Sequence, residues 1–245
     1  MTVTNAEIDR AKQSVRERVW SLLEREDVAL PPGAHGRIPN FIGADVAAER
    51  LAELPSWKAA RVVKAVPDQA QFPVRVRALR DGKIVYMAVP KLANAKPFYL
   101  LDPQALSVPP EEAASSHVAR SVARTAGVGE LSPVDLVVCG SVAVNRDGVR
   151  LGKGAGYSDI EVALLHDAGL LRPETIIVTT VHSLQVLDDH LPESEHDFGV
   201  DMIITPDEVI YCPSPRRSSG LMWEHLSNEK INAIPVLTVE RDRRR

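Results

Sequence analysis

The sequence predicts an α/β protein: a mainly parallel sheet flanked by helices. Three observations lead there. Short continuous apolar runs, such as "VDLVVC" (134–139) and "TIIVTTV" (175–181), have the composition of strands covered on both faces. Helix-like segments alternate with these runs, the order that produces parallel βαβ units. Between one run and the next helix lies "VRLGKGAGYSDIEVALL" (149–165), with three glycines and an alanine in five consecutive positions. A chain gives up side chains at a strand-to-helix junction where something must approach the backbone closely.

The elements follow in order. In 5–26, Ile8, Ala11, Val15, Val19, Leu22 and Leu23 recur at helical spacing, with Asn5 as the expected N-cap. Residues 30–43, "LPPGAHGRIPNFIG", read as loop, and a short helix over 44–54 stops at Pro55. "ARVVKAV" (60–66) is a strand. In 71–92 helix and strand compete ahead of an Asp-Gly turn, and 94–110 reads as irregular because of its prolines. Residues 115–127 read as one helix ended by Gly127, with Val118, Val122 and Ala123 on its apolar stripe. After the glycine loop come a helix (159–170) and strands at 175–181, 200–205 and 208–211. The tail changes character: loop at 213–220, short helix at 221–231, edge strand at 234–240 and a basic end. The economical organisation is one domain over 1–212 with an appendage, 213–245, packed on it.

The totals narrow the function classes. Hydrophobic content of 44% and charged content of 25% over 245 residues describe an ordinary globule. A net charge of −4 gives no electrostatic case for a nucleic-acid partner. Cys139 and Cys212 are too few and too far apart for a disulfide framework or a cysteine metal site, which fits a reducing compartment. No stretch approaches the roughly 20 apolar residues of a membrane span. The expectation is a cytoplasmic protein, monomer or homodimer, acting on a small molecule without membrane or nucleic acid.

The glycine loop carries the chemistry. Gly152, Gly154 and Gly156 permit positive φ, so successive N–H groups can converge on an anion, and the following helix N-terminus favours negative charge. Arg150 and Lys153 can offset phosphate charge; Asp159 can cap the helix or hold Mg²⁺. The competing local reading is a tight turn with Asp159 as N-cap. Lys12 and Arg16, four residues apart, share one helix face and either meet a polyphosphate or form a solvated basic face. By themselves His196 and Asp197 read as a surface turn and Gln185 as a satisfied polar helix residue. Lys91, at a strand exit, meets a carboxylate or phosphate or is simply solvated. Residues 30–43 form a lid carrying His35 and Arg37, or pack Ile38 and Phe41 on the core.

These pieces in register resemble the 5-formyltetrahydrofolate cyclo-ligase (methenyltetrahydrofolate synthetase) family. Lys12 and Arg16 match its opening Lys-x-x-x-Arg helix; "RLGKGAGYSD" (150–159) matches its loop R-L-G-x-G-x-G-Y-Y-D; "LPESEHDFGVDMIIT" (191–205) matches its later segment. The likeness spans roughly residues 5–212, and the 30–43 insertion and the tail look like its divergent domain-containing branch. The resemblance implies an open three-layer fold of the NagB/RpiA/CoA-transferase kind. It also implies ATP- and Mg²⁺-dependent closure of 5-formyltetrahydrofolate to 5,10-methenyltetrahydrofolate through a phosphorylated formyl group. By that likeness ATP meets Lys12, Arg16, Arg150, Leu151, Gly152, Lys153, Gly154, Ala155, Gly156, Tyr157 and Asp159. Arg150, Tyr157 and Asp159 are the catalytic candidates, Asp159 and Asp197 the metal ligands, and Lys91, Gln185 and His196 the contacts of a reduced folate or related formamide. Where the family has a second loop tyrosine and then an arginine after the aspartate, this chain has Ser158 and Ile160. The phosphate half of the pattern is better kept than the folate half. Two other readings stay open: the same ATP chemistry on a different amide, for example a thiamine-related one, and a non-catalytic nucleotide- or folate-binding protein.

Overall fold

A computed structural model describes residues 4–213 and 215–244. Helices α1 (Asn5–Arg25), α2 (Ala44–Glu53) and α3 (Pro55–Ala59) precede strand β1 (Val62–Ala65). Then come α4 (Phe72–Arg80), β2 (Ile84–Ala88), β3 (Phe98–Leu101), α5 (Pro110–Ala113), α6 (Ser116–Val122) and β4 (Arg124–Ala126). Strands β5 (Val134–Cys139), β6 (Ala143–Asn145) and β7 (Arg150–Leu151) lead into α7 (Tyr157–Asp167). The chain continues through β8 (Leu171–Thr180), β9 (Val186–Leu187), β10 (Met202–Ile204) and β11 (Val209–Tyr211), and closes with α8 (Asn228–Ala233) and α9 (Pro235–Arg243).

The main sheet has eight strands in the order β11-β10-β8-β5-β1-β2-β3-β4. The pairings β10–β8, β8–β5, β5–β1 and β1–β2 are parallel, and the antiparallel ones lie at the two edges. Val63 and Ala65 of β1 enter an apolar cluster with α1, α2 and α4, whereas Val62 enters a second cluster with α7, α8 and α9. That alternation makes three layers, helices over both faces, as expected. A small sheet, β7-β6-β9, stands beside the main one and presents the glycine loop. The strand order reverses between β1 and β5, and ligands of open α/β sheets bind at the carboxyl ends of strands at such a point.

Several expectations need correction. The N-cap of α1 is Thr4, whose hydroxyl accepts from the Glu7 N–H while Glu7 reaches back to the Thr4 N–H; Asn5 is already helical. The contest in 71–92 resolves in sequence, helix α4 and then strand β2 across the Asp81–Gly82 turn. The irregular span 94–110 contains β3, because residues 98–101 can extend the sheet beside β2. The helix expected over 115–127 ends at Val122, and 124–126 become an edge strand on β3; sheet pairing overrides helical periodicity there. The edge strand expected at 234–240 is helix α9, opened by Pro235 and holding Val236 and Leu237 in the core. Residues 221–231 give a 3₁₀ turn at Trp223–His225 and then α8 rather than one helix. Among the described residues no helix is long and apolar enough to cross a membrane.

Candidate functional site

The loop from Gly152 to Gly156 joins β7 to α7. Gly154 and Gly156 hold φ of +95° and +69°, and Gly156 is the α7 N-cap. The Asp159 carboxylate is therefore not the cap. It stands in the first turn of α7, where its Oδ1 accepts from Arg150 Nη2 at 2.6 Å. The guanidinium of Arg150, 4% exposed, lies 3.9 Å from the centre of the Phe198 ring. Among the described residues its Nε, which is buried, has no hydrogen-bond partner. Burial disfavours the Arg150 charge, yet the Asp159, Asp197 and Glu161 carboxylates hold it above the ordinary guanidinium range.

The α1 face is not a solvated one. Lys12 and Arg16 are 5% and 8% exposed and project onto the loop from across the chain. Arg16 Nε donates to Gly152 O at 2.7 Å. A side chain on Gly154, which holds φ of +95°, would place its Cβ 3.3 Å from Arg16 Nη1, so the guanidinium would have to give way by a few tenths of an ångström. Burial pulls the Arg16 guanidinium below its ordinary range, against Asp197, Asp9 and Asp159. Lys12 Nζ donates to Ser194 Oγ at 2.8 Å and to Asp197 Oδ2 at 2.5 Å. The 194–197 turn thus anchors α1 over the loop, and its matched segment is part of the site rather than a free surface turn.

Two cavities meet at this loop. The first, about 290 Å³, is lined by four cations, Lys12, Arg16, Arg150 and Lys230, against three carboxylates, Asp9, Asp159 and Asp197. The second, about 270 Å³, opens beside Val66, Pro67 and Asp68, which directly follow β1, at the reversal of strand order. Arg150, Gly152, Gly156 and Asp159 border both. Leu151 and His196 face the first cavity, whereas Lys153, Ala155, Tyr157 and Lys91 face the second. The residues expected to contact ATP are therefore split between two spaces, and His196, expected on substrate, lies on the polycationic side. Lys91 holds a left-handed φ of 59°.

One expectation fails on geometry. Gln185 is fully buried; its Nε2 donates to Ser141 O and Val142 O at 2.9 and 3.1 Å, and its Oε1 accepts from His182 N at 2.8 Å. It ties the 141–142 segment between β5 and β6 to the 3₁₀ turn at Ser183–Gln185 and is closed off from any cavity. Asp197 Oδ2 accepts from Lys12 Nζ and from Ser194 N at 2.6 Å, so one of its two oxygens is committed to holding Lys12 and the 194–197 turn. Among the described residues no group of three or more His, Cys, Asp or Glu could hold a metal ion. The 30–43 loop contributes Ile38 to the second cavity, but His35 lies near Glu17 and Glu24 on α1. Sequence reading missed the tail: Leu221, Met222, His225, Leu226 and Lys230 line the first cavity. No motif marks them.

Residues 8–206 match the model of the 5-formyltetrahydrofolate cyclo-ligase family. A methenyltetrahydrofolate synthase domain-containing protein of Mus musculus is 38% identical over 248 residues, an alignment covering 95% of this chain and 64% of that protein. Its Homo sapiens counterpart is 36% identical over 242 residues, 93% of this chain and 60% of the relative. The chain thus spans a little under two thirds of the length of these relatives. The mitochondrial 5-formyltetrahydrofolate cyclo-ligase of Arabidopsis thaliana is 31% identical over 94 residues, 36% of this chain and 33% of that protein. Among solved structures, the NMR structure of 5,10-methenyltetrahydrofolate synthetase from Aquifex aeolicus superposes with a TM-score of 0.52 at 22% identity, covering 89% of this chain and 99% of that one, and so shares the fold.

Proposed function

Since the chain belongs to the 5-formyltetrahydrofolate cyclo-ligase family, we propose that it catalyses ATP- and Mg²⁺-dependent ring closure on 5-formyltetrahydrofolate, giving 5,10-methenyltetrahydrofolate. The observation that carries this reading is the junction of two cavities at one loop, with Arg150 and Asp159 on the border of both. ATP occupies the polycationic cavity, and the formamide of the reduced folate occupies the cavity at the β1 end. The γ-phosphoryl group then crosses the border.

The chemistry suits such a border. An amide oxygen is a poor leaving group. Transfer of the γ-phosphoryl to the formyl oxygen breaks the bond to ADP, N10 then adds to the formyl carbon, and inorganic phosphate departs with that oxygen and with the proton that N10 gives up. The protein's task is to align two substrates and neutralise charge. The loop N–H groups and Arg16 hold the phosphates, and the Arg150 guanidinium, on the border of both cavities, meets charge building on the transferred group. The residues suit Mg²⁺, which binds through one or two carboxylates together with phosphate oxygens and water. Asp159 would hold it, since only its Oδ1 is engaged, by Arg150; the ion would supply neutralisation of the phosphate charge. Tyr157 and Lys91 line the folate side, with Ser158 in place of a second ring.

Mixing the protein with 5-formyltetrahydrofolate and MgATP and following methenyl absorbance tests this directly. Product matched one to one by ADP is expected. Binding of MgATP without ADP release in the presence of any formamide would overturn the catalytic reading in favour of a non-catalytic binder; turnover with another formamide alone would move the substrate.

A further inference from the structure

The family match ends at residue 206, yet one wall of the polycationic cavity is built by residues beyond it. Leu221, Met222 and Leu226 line that cavity together with Ile160 and Ala163 of α7, and none of these five apolar residues borders the second cavity. Lys230, half-buried in α8, reaches the loop from above. Its Nζ is 3.2 Å from Ala155 O and 2.8 Å from where a Cβ on Gly156 would stand. Charge-assisted hydrogen bonds to anions close to about 2.7–2.9 Å, so this lysine holds a neutral carbonyl loosely and keeps donors for a stronger acceptor. The segment is well anchored. Ser227 Oγ accepts from the Lys230 N–H at 3.1 Å, and Ile231, Ile234, Val236 and Leu237 are buried against the α7 side of the sheet.

We propose that residues 220–230 complete the nucleotide site. Lys230 is a phosphate-binding cation acting with Arg16 over the glycine loop, and Leu221, Met222 and Leu226 cover a nucleobase against Ile160 and Ala163. The inference rests on the reading that this cavity takes ATP, and adds that both the grip on its phosphates and the contact with its base depend on a segment outside the family-matched region. The cavity's lining combines both chemistries, cations at and over the loop and apolar side chains from α7 and the tail, with the rings of His196 and His225 6.4 Å apart. That mixture of apolar wall and few polar groups suits a small-molecule ligand.

Titration calorimetry with two probes, MgATP and magnesium tripolyphosphate, separates the two roles. Lys230→Ala should weaken both by about tenfold, with partial recovery in Lys230→Arg, as expected for loss of one charge-assisted contact at a half-exposed site. The pair Met222→Ala and Leu226→Ala should weaken MgATP by about fivefold through lost apolar cover and leave tripolyphosphate unchanged. A wild-type protein that binds neither probe would overturn this proposal together with the functional reading. Wild-type binding of MgATP with unaltered affinities in the Lys230 and the Met222/Leu226 variants would overturn the tail's role alone. Lys230→Arg keeps the cation should Lys230→Ala unfold, and its binding both probes no better than a Gly156→Ala variant, whose Cβ would displace the lysine, would also overturn it.

Discussion

Replacing Gly154 by alanine asks whether the glycine loop matters as backbone or as binding site. Two costs follow from the geometry. At φ +95° an alanine is strained by about 1–2 kcal/mol. Its Cβ would also stand 3.3 Å from Arg16 Nη1 and 3.4 Å from Cζ. The guanidinium is tethered by Nε to Gly152 O at 2.7 Å and by Nη1 to Gln13 Oε1 at 3.2 Å, so it must shift by a few tenths of an ångström and release one of these. Misplacing one charge-assisted phosphate contact is expected to weaken nucleotide binding about tenfold, or about 1.4 kcal/mol. Gly82 is the control: it too holds positive φ, +74°, but a Cβ there meets nothing within 4 Å. Urea unfolding should therefore show similar losses for Gly154→Ala and Gly82→Ala, whereas MgATP affinity falls only in the first. Equal affinities in the two variants would refute the claim that Arg16 and the loop form one site.

Three further predictions concern the interior. Lys64 in β1 is fully buried with Nζ 2.5 Å from Glu161 Oε2 of α7, just behind the loop. Lys64→Met or Glu161→Leu alone should cost about 3–5 kcal/mol in urea unfolding by stranding a charge, while the double variant should lie within about 1 kcal/mol of wild type; an unstable double variant would contradict this. Burial raises the Glu161 carboxyl above its ordinary 4.5 even against Lys64. A carboxyl raised in the folded state binds more protons there than in the unfolded chain, so stability falls as pH climbs from 4.5 through the folded value. Lys64→Met, which removes the opposing charge, should steepen that fall; a flat profile would contradict the cause assigned. Burial, with Asp201 and Asp147, pushes the Cys212 thiol up to about 11, and burial raises Cys139 as well. Neither should alkylate at pH 8 in the native protein, and both should on unfolding; rapid native labelling would show the segment to be open.

The parts of the fold that could be read in advance were those where local pattern and tertiary demand agree. The apolar runs 134–139 and 175–181 are central strands, and "DIEVALLHDAGL" continues the helix that the loop begins. The misreadings fall where partners far along the chain decide. Residues 124–126 form a strand only because β3 offers an open edge, and 234–240 become helical because Val236 and Leu237 find a groove beside α7. The same division holds at the site. Lys12, Arg16, Arg150 and Asp159 could be read as neighbours only because three motifs stand in register. Alone, the glycine loop reads equally as a tight turn and the α1 cations as a solvated face, and the structure brings all four to one cavity. Asp197 was legible as part of the site but not as the partner that orients Lys12. Gln185 was read as a substrate contact because a buried polar clamp and a binding residue look alike in one sequence. Lys230, Met222 and Leu226 lie in a segment whose local pattern carries no ligand signature, and only its return to the loop gives them meaning.

The account stands on a polyphosphate held between the Gly152–Gly156 backbone and cations delivered by α1. Calorimetric titration of MgATP into wild type and into a Lys12→Ala/Arg16→Ala variant that keeps its unfolding transition measures this most directly. Micromolar-range binding by the wild type, weakened at least about a hundredfold in the variant, is the predicted result. Equal affinity in the two proteins would contradict it.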